Sequence, residues 1–329
     1  MIQSIDYPTR HPTIQIIRAT HMGFCFGVRD AIELAQKEAA KGPVTILGDL
    51  VHNPAVMASL KGQGIRVASS ADDVGTDRVM VTAHGTSDRT KQDLRNKGFN
   101  PLDATCPLVQ HAHKSLQRLV SMGYHPVVIG KRGHIEVLGL TGDFHECEVV
   151  LSTDDVRAMI SRDKFGVIAQ TTQPVEGVKK LVDAIRSTFP RSEVRFEDTV
   201  CQPTKLRQNS VLELANQCDV VIVIGGKQSN NTAELVKTAG RHLPRVHQVE
   251  KPEELREEWI QGCVKIGVTA GTSTPEGTIQ AVVTRLEQLA ARAFPPAQWE
   301  DEGSGCYPKG FENESQSHLH SRKSGMLSG

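Results

Sequence analysis

Three of the seven cysteines, Cys25, Cys106 and Cys201, stand in matching surroundings. Each closes a short extended stretch and opens a helical pattern. Cys25 lies between Ile14–Ile17 and Val28–Ala40, Cys106 follows Phe99–Thr105, and Cys201 lies between Val194–Val200 and Thr204–Gln217. Pro107, directly after Cys106, suits a first helical turn, where its missing N–H has no partner to lose. A cysteine at a helix start meets free N–H groups and the positive end of the helix dipole, which favour the thiolate. Structural zinc usually takes four ligands, often in Cys-x-x-Cys pairs, and this chain has no such pair. Three distant thiolates suit an iron–sulfur cluster with one iron left free of protein sulfur, since full ligation normally takes four cysteines. The competing reading is that buried cysteines are simply small hydrophobes. That is the expectation for Cys147, Cys218, Cys263 and Cys306.

The same repeat carries hydrogen-bonding side chains. A β-branched run ending in Gly48, Gly130 or Gly225 follows each cysteine at the same offset to within one residue. Four positions beyond each glycine stands His52, His134 or Ser229, followed shortly by Asn53, Glu136, or Asn230 and Asn231. A second strand in each unit then runs into a small polar loop. Val79–Thr82 leads to His84, Gly166–Ala169 to Gln170, Thr171 and Thr172, and Lys265–Thr269 to Ser273. Such donors, neutral or cationic, could bind phosphate oxygens, each charge-assisted bond contributing about 1.5–3 kcal/mol. Taken singly they are ordinary turn formers; recurrence at matching offsets sets them apart. His134 and Glu136 place a carboxyl group in a secluded loop, where desolvation favours an acid form able to deliver a proton. Thr171, in the second loop of the same unit, could extend that relay. His111 and His113 are two apart on a helical pattern and face different directions.

These residues need a scaffold that brings six loops together. Strands alternating with helices predict parallel sheets, in which ligand groups gather at the carboxyl ends of the strands. The expected fold is α/β: three similar units with small parallel sheets, in pseudo-threefold arrangement around a central iron–sulfur cluster. The divisions fall at a lead-in over residues 1–13 and units over 14–99, 100–194 and 195–293. Residues 294–329, rich in Gly, Ser, His and Glu, are expected to be a disordered tail.

Composition narrows the partners. Lys plus Arg and Asp plus Glu number 38 each, so no net charge draws the chain to nucleic acid or an anionic membrane. Only 4% of residues are aromatic, too few to suggest a base-stacking surface. No stretch approaches the roughly 20 apolar residues that span a bilayer, and residues 1–12 lack the apolar core of a signal peptide. A cytoplasmic protein is expected, in which cysteines serve as thiols or metal ligands rather than disulfides.

The ordered set of motifs resembles the hydroxymethylbutenyl diphosphate reductase (LytB/IspH) family over roughly residues 14–293. The resemblance rests on Gly-Phe-Cys-Phe-Gly-Val (23–28), Val-His-Asn (51–53), Ala-His-Gly (83–85) and Asp-Ala-Thr-Cys-Pro-Leu-Val (103–109). Gly-His-Ile-Glu-Val (133–137), Gln-Thr-Thr (170–172), Cys201, Ser-Asn-Asn (229–231) and Val-Thr-Ala-Gly-Thr-Ser (268–273) continue it. It implies a [4Fe–4S] cluster on Cys25, Cys106 and Cys201, whose fourth iron takes the substrate hydroxyl. It implies that His52, His84, His134, Thr171, Thr172, Ser229, Asn230, Asn231 and Ser273 bind the substrate, an allylic diphosphate. Glu136, with His134 and Thr171, would be catalytic, supplying the proton that turns the leaving hydroxyl into water. An external donor such as ferredoxin or flavodoxin would bring two electrons, and the products would be isopentenyl and dimethylallyl diphosphate. Phe26, His21-Met22, Asn230 and Ile135 depart from the pattern expected of the family.

Two other readings use the same cysteines. An iron–sulfur dehydratase needs the open iron but no external electrons, and leaves the diphosphate-type donors unexplained. A non-enzymatic redox sensor explains the cysteines but not the repeated polar loops.

Overall fold

The computed structural model describes residues 14–293. The expected lead-in and tail, with Cys306, His318 and His320, lie outside the described residues. The first part of the chain forms β1 (Gln15–Arg18), α1 (Phe26–Ala39), β2 (Thr45–Leu47), α2 (Pro54–Gly62), β3 (Arg66–Ala68), β4 (Val79–Val81), α3 (Asp88–Asn96) and β5 (Leu102–Asp103). The middle forms α4 (Pro107–Ser121), β6 (His125–Ile129), α5 (Ile135–Thr141), β7 (Glu148–Val150), α6 (Thr153–Arg157), β8 (Lys164–Ala169), α7 (Val175–Thr188) and β9 (Glu193–Phe196). The last part forms α8 (Gln202–Gln217), β10 (Val220–Ile224), α9 (Asn230–Gly240), β11 (Val246–Val249), β12 (Lys265–Ala270) and α10 (Glu276–Ala293).

The strands make three four-stranded sheets, ordered β3-β2-β4-β5, β7-β6-β8-β9 and β11-β10-β12-β1, and every pairing is parallel. The α/β architecture of three small parallel sheets is therefore the one expected from the repeat. The sheets are built with an offset of one strand from that repeat. The strand before each cysteine completes the sheet of the preceding unit, so β5 joins β4, β9 joins β8, and β1 closes the series on β12. The chain thus leaves one sheet and enters the next at each cysteine.

Buried parallel strands read as continuous apolar runs because helices cover both faces. In β10 alternate residues divide between two cores. Val220, Ile222 and Ile224 pack with residues of α10 such as Ile279, Val282 and Leu286. Val221 and Val223 pack with Val211 and Leu214 of α8 and Leu235 of α9. The third strands β3, β7 and β11 were not signalled by strong apolar runs, and they form edges of their sheets. Cys218 and Cys263 are buried among core residues, as their bland reading requires.

In all three sheets the first and second strands of the unit, β2 with β4, β6 with β8 and β10 with β12, are central neighbours. The helices after them cross to opposite edges, which opens a crevice at the strands' carboxyl ends. The six polar loops lie there. Among the described residues no helix is long and apolar enough to cross a membrane.

Ile222 is fully buried at the centre of its sheet, whereas Ile160 is 65% exposed. Ile222→Ala is expected to destabilise the fold by about 2–5 kcal/mol, and Ile160→Ala by no more than about 0.5 kcal/mol. Denaturant midpoints of the two variants check this.

Candidate active site

Each of the three cysteines is the N-cap residue of its helix, Cys25 for α1, Cys106 for α4 and Cys201 for α8. Their backbone N–H groups make equivalent bonds to the loop after a second strand. Cys25 N donates to Thr272 O (3.3 Å), Cys106 N to Ala83 O (3.0 Å) and Cys201 N to Thr171 O (3.0 Å). These bonds set Ser273, His84 and Thr172 beside the cysteines, each from the sheet the chain has just left. A Cβ on Gly27 would collide with Cys106 Sγ, so the first turn of α1 lies directly against the second cysteine. Glu136 acts electrostatically on Cys106 and Cys201, and Cys25 acts on both as well.

At Cys106 and Cys201 the helix start does not produce a ready thiolate. Burial raises the Cys106 thiol and pushes Cys201 up to about 11, against the lowering effect of nearby hydrogen bonds. For Cys106 and Cys201 the neutral thiol is therefore the stable form unless a cation binds it, and a metal centre is what deprotonates a coordinating thiol. Among the described residues no group of three or more His, Cys, Asp or Glu side chains surrounds a point suited to a single metal ion. The chemistry of this donor set is that of three thiols brought together from the three junctions between sheets. Cys201 Sγ also lies 3.1 Å from the hydroxyl of buried Thr204.

Beside the cysteines, His52, His84, His134, Glu136, Thr172, Ser229, Asn230, Asn231 and Ser273 line one small cavity of about 40 Å³. Val28, Val51 and Thr272 complete its wall; nothing in their sequence type had marked them. The imidazoles of His52 and His84 stack with ring centroids 4.5 Å apart, and His134 meets them edge-on at 5.1 and 5.6 Å. Burial lowers the pKa of all three, His134 to about 4, and the neighbouring rings add to the effect on His84 and His134. They are neutral near pH 7.

Their donors are nevertheless aimed inward. His134 Nδ1 accepts the Glu136 N–H (3.1 Å), which leaves the ring proton on Nε2. His52 Nε2, His84 Nε2 and Asn231 Nδ2 are buried without a partner, an arrangement that asks for an acceptor. Asn231 is turned this way because its Oδ1 accepts from Thr272 N (3.0 Å). Ser229 caps α9 by accepting from Thr232 N (3.3 Å), and Ser273 donates to His52 O (3.3 Å). Asn230 Nδ2 donates to Thr172 Oγ1 at 3.0 Å.

Glu136 is 1% exposed. Its carboxyl oxygens accept from Thr171 N (2.7 Å) and Thr171 Oγ1 (3.1 Å). Burial raises its pKa to about 7 despite those two bonds. Thr171 thus stands behind Glu136 and does not line the cavity. Of the unusual positions, Phe26 is 44% exposed, Ile135 borders a surface groove, His21 is exposed and Met22 packs against the core, so Asn230 is the one that lines the cavity. That groove, about 660 Å³, is far larger than the central cavity. The orphaned donors and the raised carboxyl group lie in the smaller one, which marks it as the site.

The sequence profile of the LytB protein family matches residues 16–287. The chain belongs to the LytB family. Its LytB relatives include the 4-hydroxy-3-methylbut-2-enyl diphosphate reductase of Aquifex aeolicus, 36% identical over 84% of this chain and 97% of that protein. The protein of the same name from Geobacter sulfurreducens is 36% identical over 84% of this chain and 98% of its own length. Among solved structures, the E-1-hydroxy-2-methyl-but-2-enyl-4-diphosphate reductase of Plasmodium falciparum has a TM-score of 0.78 at 27% identity, covering 83% of this chain and 88% of that one. A second reductase structure has a TM-score of 0.61 at 36% identity, over 84% of this chain and 99% of its own. The chain is an oxidoreductase of this family.

Gly27 admits Cys106 only because it has no side chain. Gly27→Ala is expected to lower the iron bound per chain at least several-fold. Gly277→Ala, where an added Cβ meets nothing within 4 Å, should bind iron as the wild type does. Iron analysis of the two purified variants decides this.

Proposed function

We propose that the chain reduces (E)-4-hydroxy-3-methylbut-2-enyl diphosphate to isopentenyl and dimethylallyl diphosphate, the last step of the methylerythritol phosphate route to isoprenoids. The observation that carries this reading is one cavity lined by buried residues, with unpaired inward donors, a carboxyl group whose pKa is raised to about 7, and an adjacent cysteine trio. The names of the family relatives support it. A dehydratase leaves the diphosphate-type set of donors unexplained, and a sensor leaves the inward donors without a ligand.

Cys25, Cys106 and Cys201 would hold a [4Fe–4S] cluster, which when bound supplies electrons and a Lewis-acid site for the hydroxyl. The electrons would come from an external donor protein or reductant. The chain's own residues do the rest. His52 and His84 Nε2, His134 Nε2, Asn231 Nδ2 and the hydroxyls of Ser229 and Thr172 supply donors to the diphosphate, joined by Ser273 when its hydroxyl turns from His52 O. Asn230 holds the Thr172 hydroxyl in place from the side. The walls exclude water, which strengthens each of these bonds. Negative charge entering with the diphosphate favours protonation of the imidazoles, offsetting the burial that keeps them neutral.

Glu136 is placed to give its proton to the departing hydroxyl, which leaves as water while two electrons and a second proton complete the C–H bond. Thr171 fixes the carboxyl group through both oxygens and leaves the acid proton free to face the cavity. His134, whose side chain caps the Glu136 N–H, sets where that carboxyl group begins.

Glu136 has a pKa of about 7, so the donor form dominates below that value and is lost above it. The turnover number is expected to fall as pH rises through about 7 or somewhat higher, with negative charge from bound diphosphate moving the limb upward. Glu136→Gln should lower turnover by at least about 10²-fold, within the range for loss of a general acid, while iron content and substrate affinity stay near wild type. Product analysis under an anaerobic reductant tests the whole reading. Formation of the two five-carbon diphosphates only with reductant present supports it, and water loss without reductant would favour the dehydratase. Near-normal turnover of Glu136→Gln would remove Glu136 from proton delivery.

A further inference from the structure

A buried cation lies beside the cysteines without a carboxylate to match it. Arg207, in the second turn of α8, is 6% exposed. Its Nη2 donates to Gly23 O at 2.6 Å and its Nη1 to Pro203 O at 2.9 Å. Nε is buried without a partner. Among the described residues, the groups whose charge favours the guanidinium are the Cys25 and Cys201 thiols. A buried charge left unmatched costs several kcal/mol, by an order-of-magnitude argument. Hydrogen bonds to two backbone carbonyls supply no counter-charge, whereas thiolates on a metal centre would.

The two carbonyls that Arg207 reaches belong to the two cysteine segments it joins. Gly23 opens the Gly-Phe-Cys turn before Cys25 and adopts φ +71°, with a Cβ there only 2.9 Å from Ile279 Cδ1. Its N–H donates to Ala270 O at the end of β12 (3.2 Å). The turn is therefore pinned to one sheet through its N–H and to α8 through its carbonyl. Pro203 lies two residues past Cys201. One guanidinium fork spans both segments, which a single ammonium point charge would do less well.

We infer that Arg207 is a positioning residue and built-in counter-charge for the thiolate-bound cluster, tying the Cys25 turn to the Cys201 helix and raising the cluster's reduction potential. This rests on the cluster reading above. Reduction adds negative charge, and a fixed cation in a water-poor site favours the reduced state. Net charge and hydrogen bonding around a cluster are among the factors that set its potential. Glu136 and Thr171 act on the substrate proton, so this role is separate from theirs.

The test is an anaerobic redox titration of the cluster-loaded, substrate-free protein, followed by electron paramagnetic resonance, in wild type, R207K and R207Q. Iron is counted in every sample. R207Q is expected to retain iron and to shift to a more negative midpoint potential, while R207K, which keeps the charge, stays near wild type. An R207Q potential equal to that of wild type would overturn the inference. Should R207Q fail to take up iron, R207K decides. Full iron at the wild-type potential supports the counter-charge, and a potential displaced as far as that of a neutral substitution such as R207M overturns it. Wild-type protein that binds no iron would overturn the cluster reading itself, a result seen before any variant is compared.

Discussion

The structure depends on one backbone constraint used three times. Each cysteine N–H bonds to the loop that ends the second strand of the sheet just left, at Thr272, Ala83 or Thr171. Because the cysteine also opens a helix of the next unit, a single residue fixes the junction of two sheets and the position of a thiol. The loop it bonds to carries the polar group that faces the cavity, Ser273, His84 or Thr172. Thiols and donors are therefore positioned by the same bond, and closure of β1 on β12 makes the third junction equivalent to the other two.

Electrostatics then divides the work. Burial, the largest effect in each case, lowers the pKa of the three histidines, raises that of Glu136 to about 7 and raises the thiols of Cys106 and Cys201. The guanidinium of Arg207 is a buried fixed charge bonded to the backbone of two cysteine segments, at Gly23 and Pro203. Such a site has little charge facing its cavity until an anionic ligand and a thiolate-bound centre supply it. Donors such as His52 Nε2 and Asn231 Nδ2 are then already oriented, so little reorganisation is needed when charge enters.

Much of this was legible in the residues. The repeat of cysteine, β-branched strand, glycine and polar loop located the three thiols and the six loops, because buried parallel strands leave continuous apolar runs and ligand loops follow their carboxyl ends. Other features were hidden for physical reasons. The edge strands β3, β7 and β11 are only three or four residues long and partly polar, so pattern alone could not distinguish them from loops. The one-strand offset of the sheets is a matter of pairing, which short strands do not encode locally. The helix-start argument predicted easy thiolates at Cys106 and Cys201, and desolvation proved the larger effect. Arg207 looked like any helical arginine, since nothing in a sequence shows that a guanidinium will be buried. Thr171, expected both in a relay with Glu136 and as a substrate contact, bonds to both oxygens of Glu136 and lies behind it, a distinction of depth that residue type does not show.

The central claim is that three cysteines from three sheets hold one cluster next to an anion-binding cavity. Its most direct measurement is iron and acid-labile sulfide per chain on anaerobically purified protein, with the absorption spectrum recorded before and after adding the allylic hydroxy-diphosphate. The account predicts about four of each per chain, loss of the cluster when Cys25, Cys106 or Cys201 is replaced by serine, and a spectral change on addition of the compound. Protein that cannot be loaded with iron, or a full cluster whose spectrum ignores the compound, would contradict it.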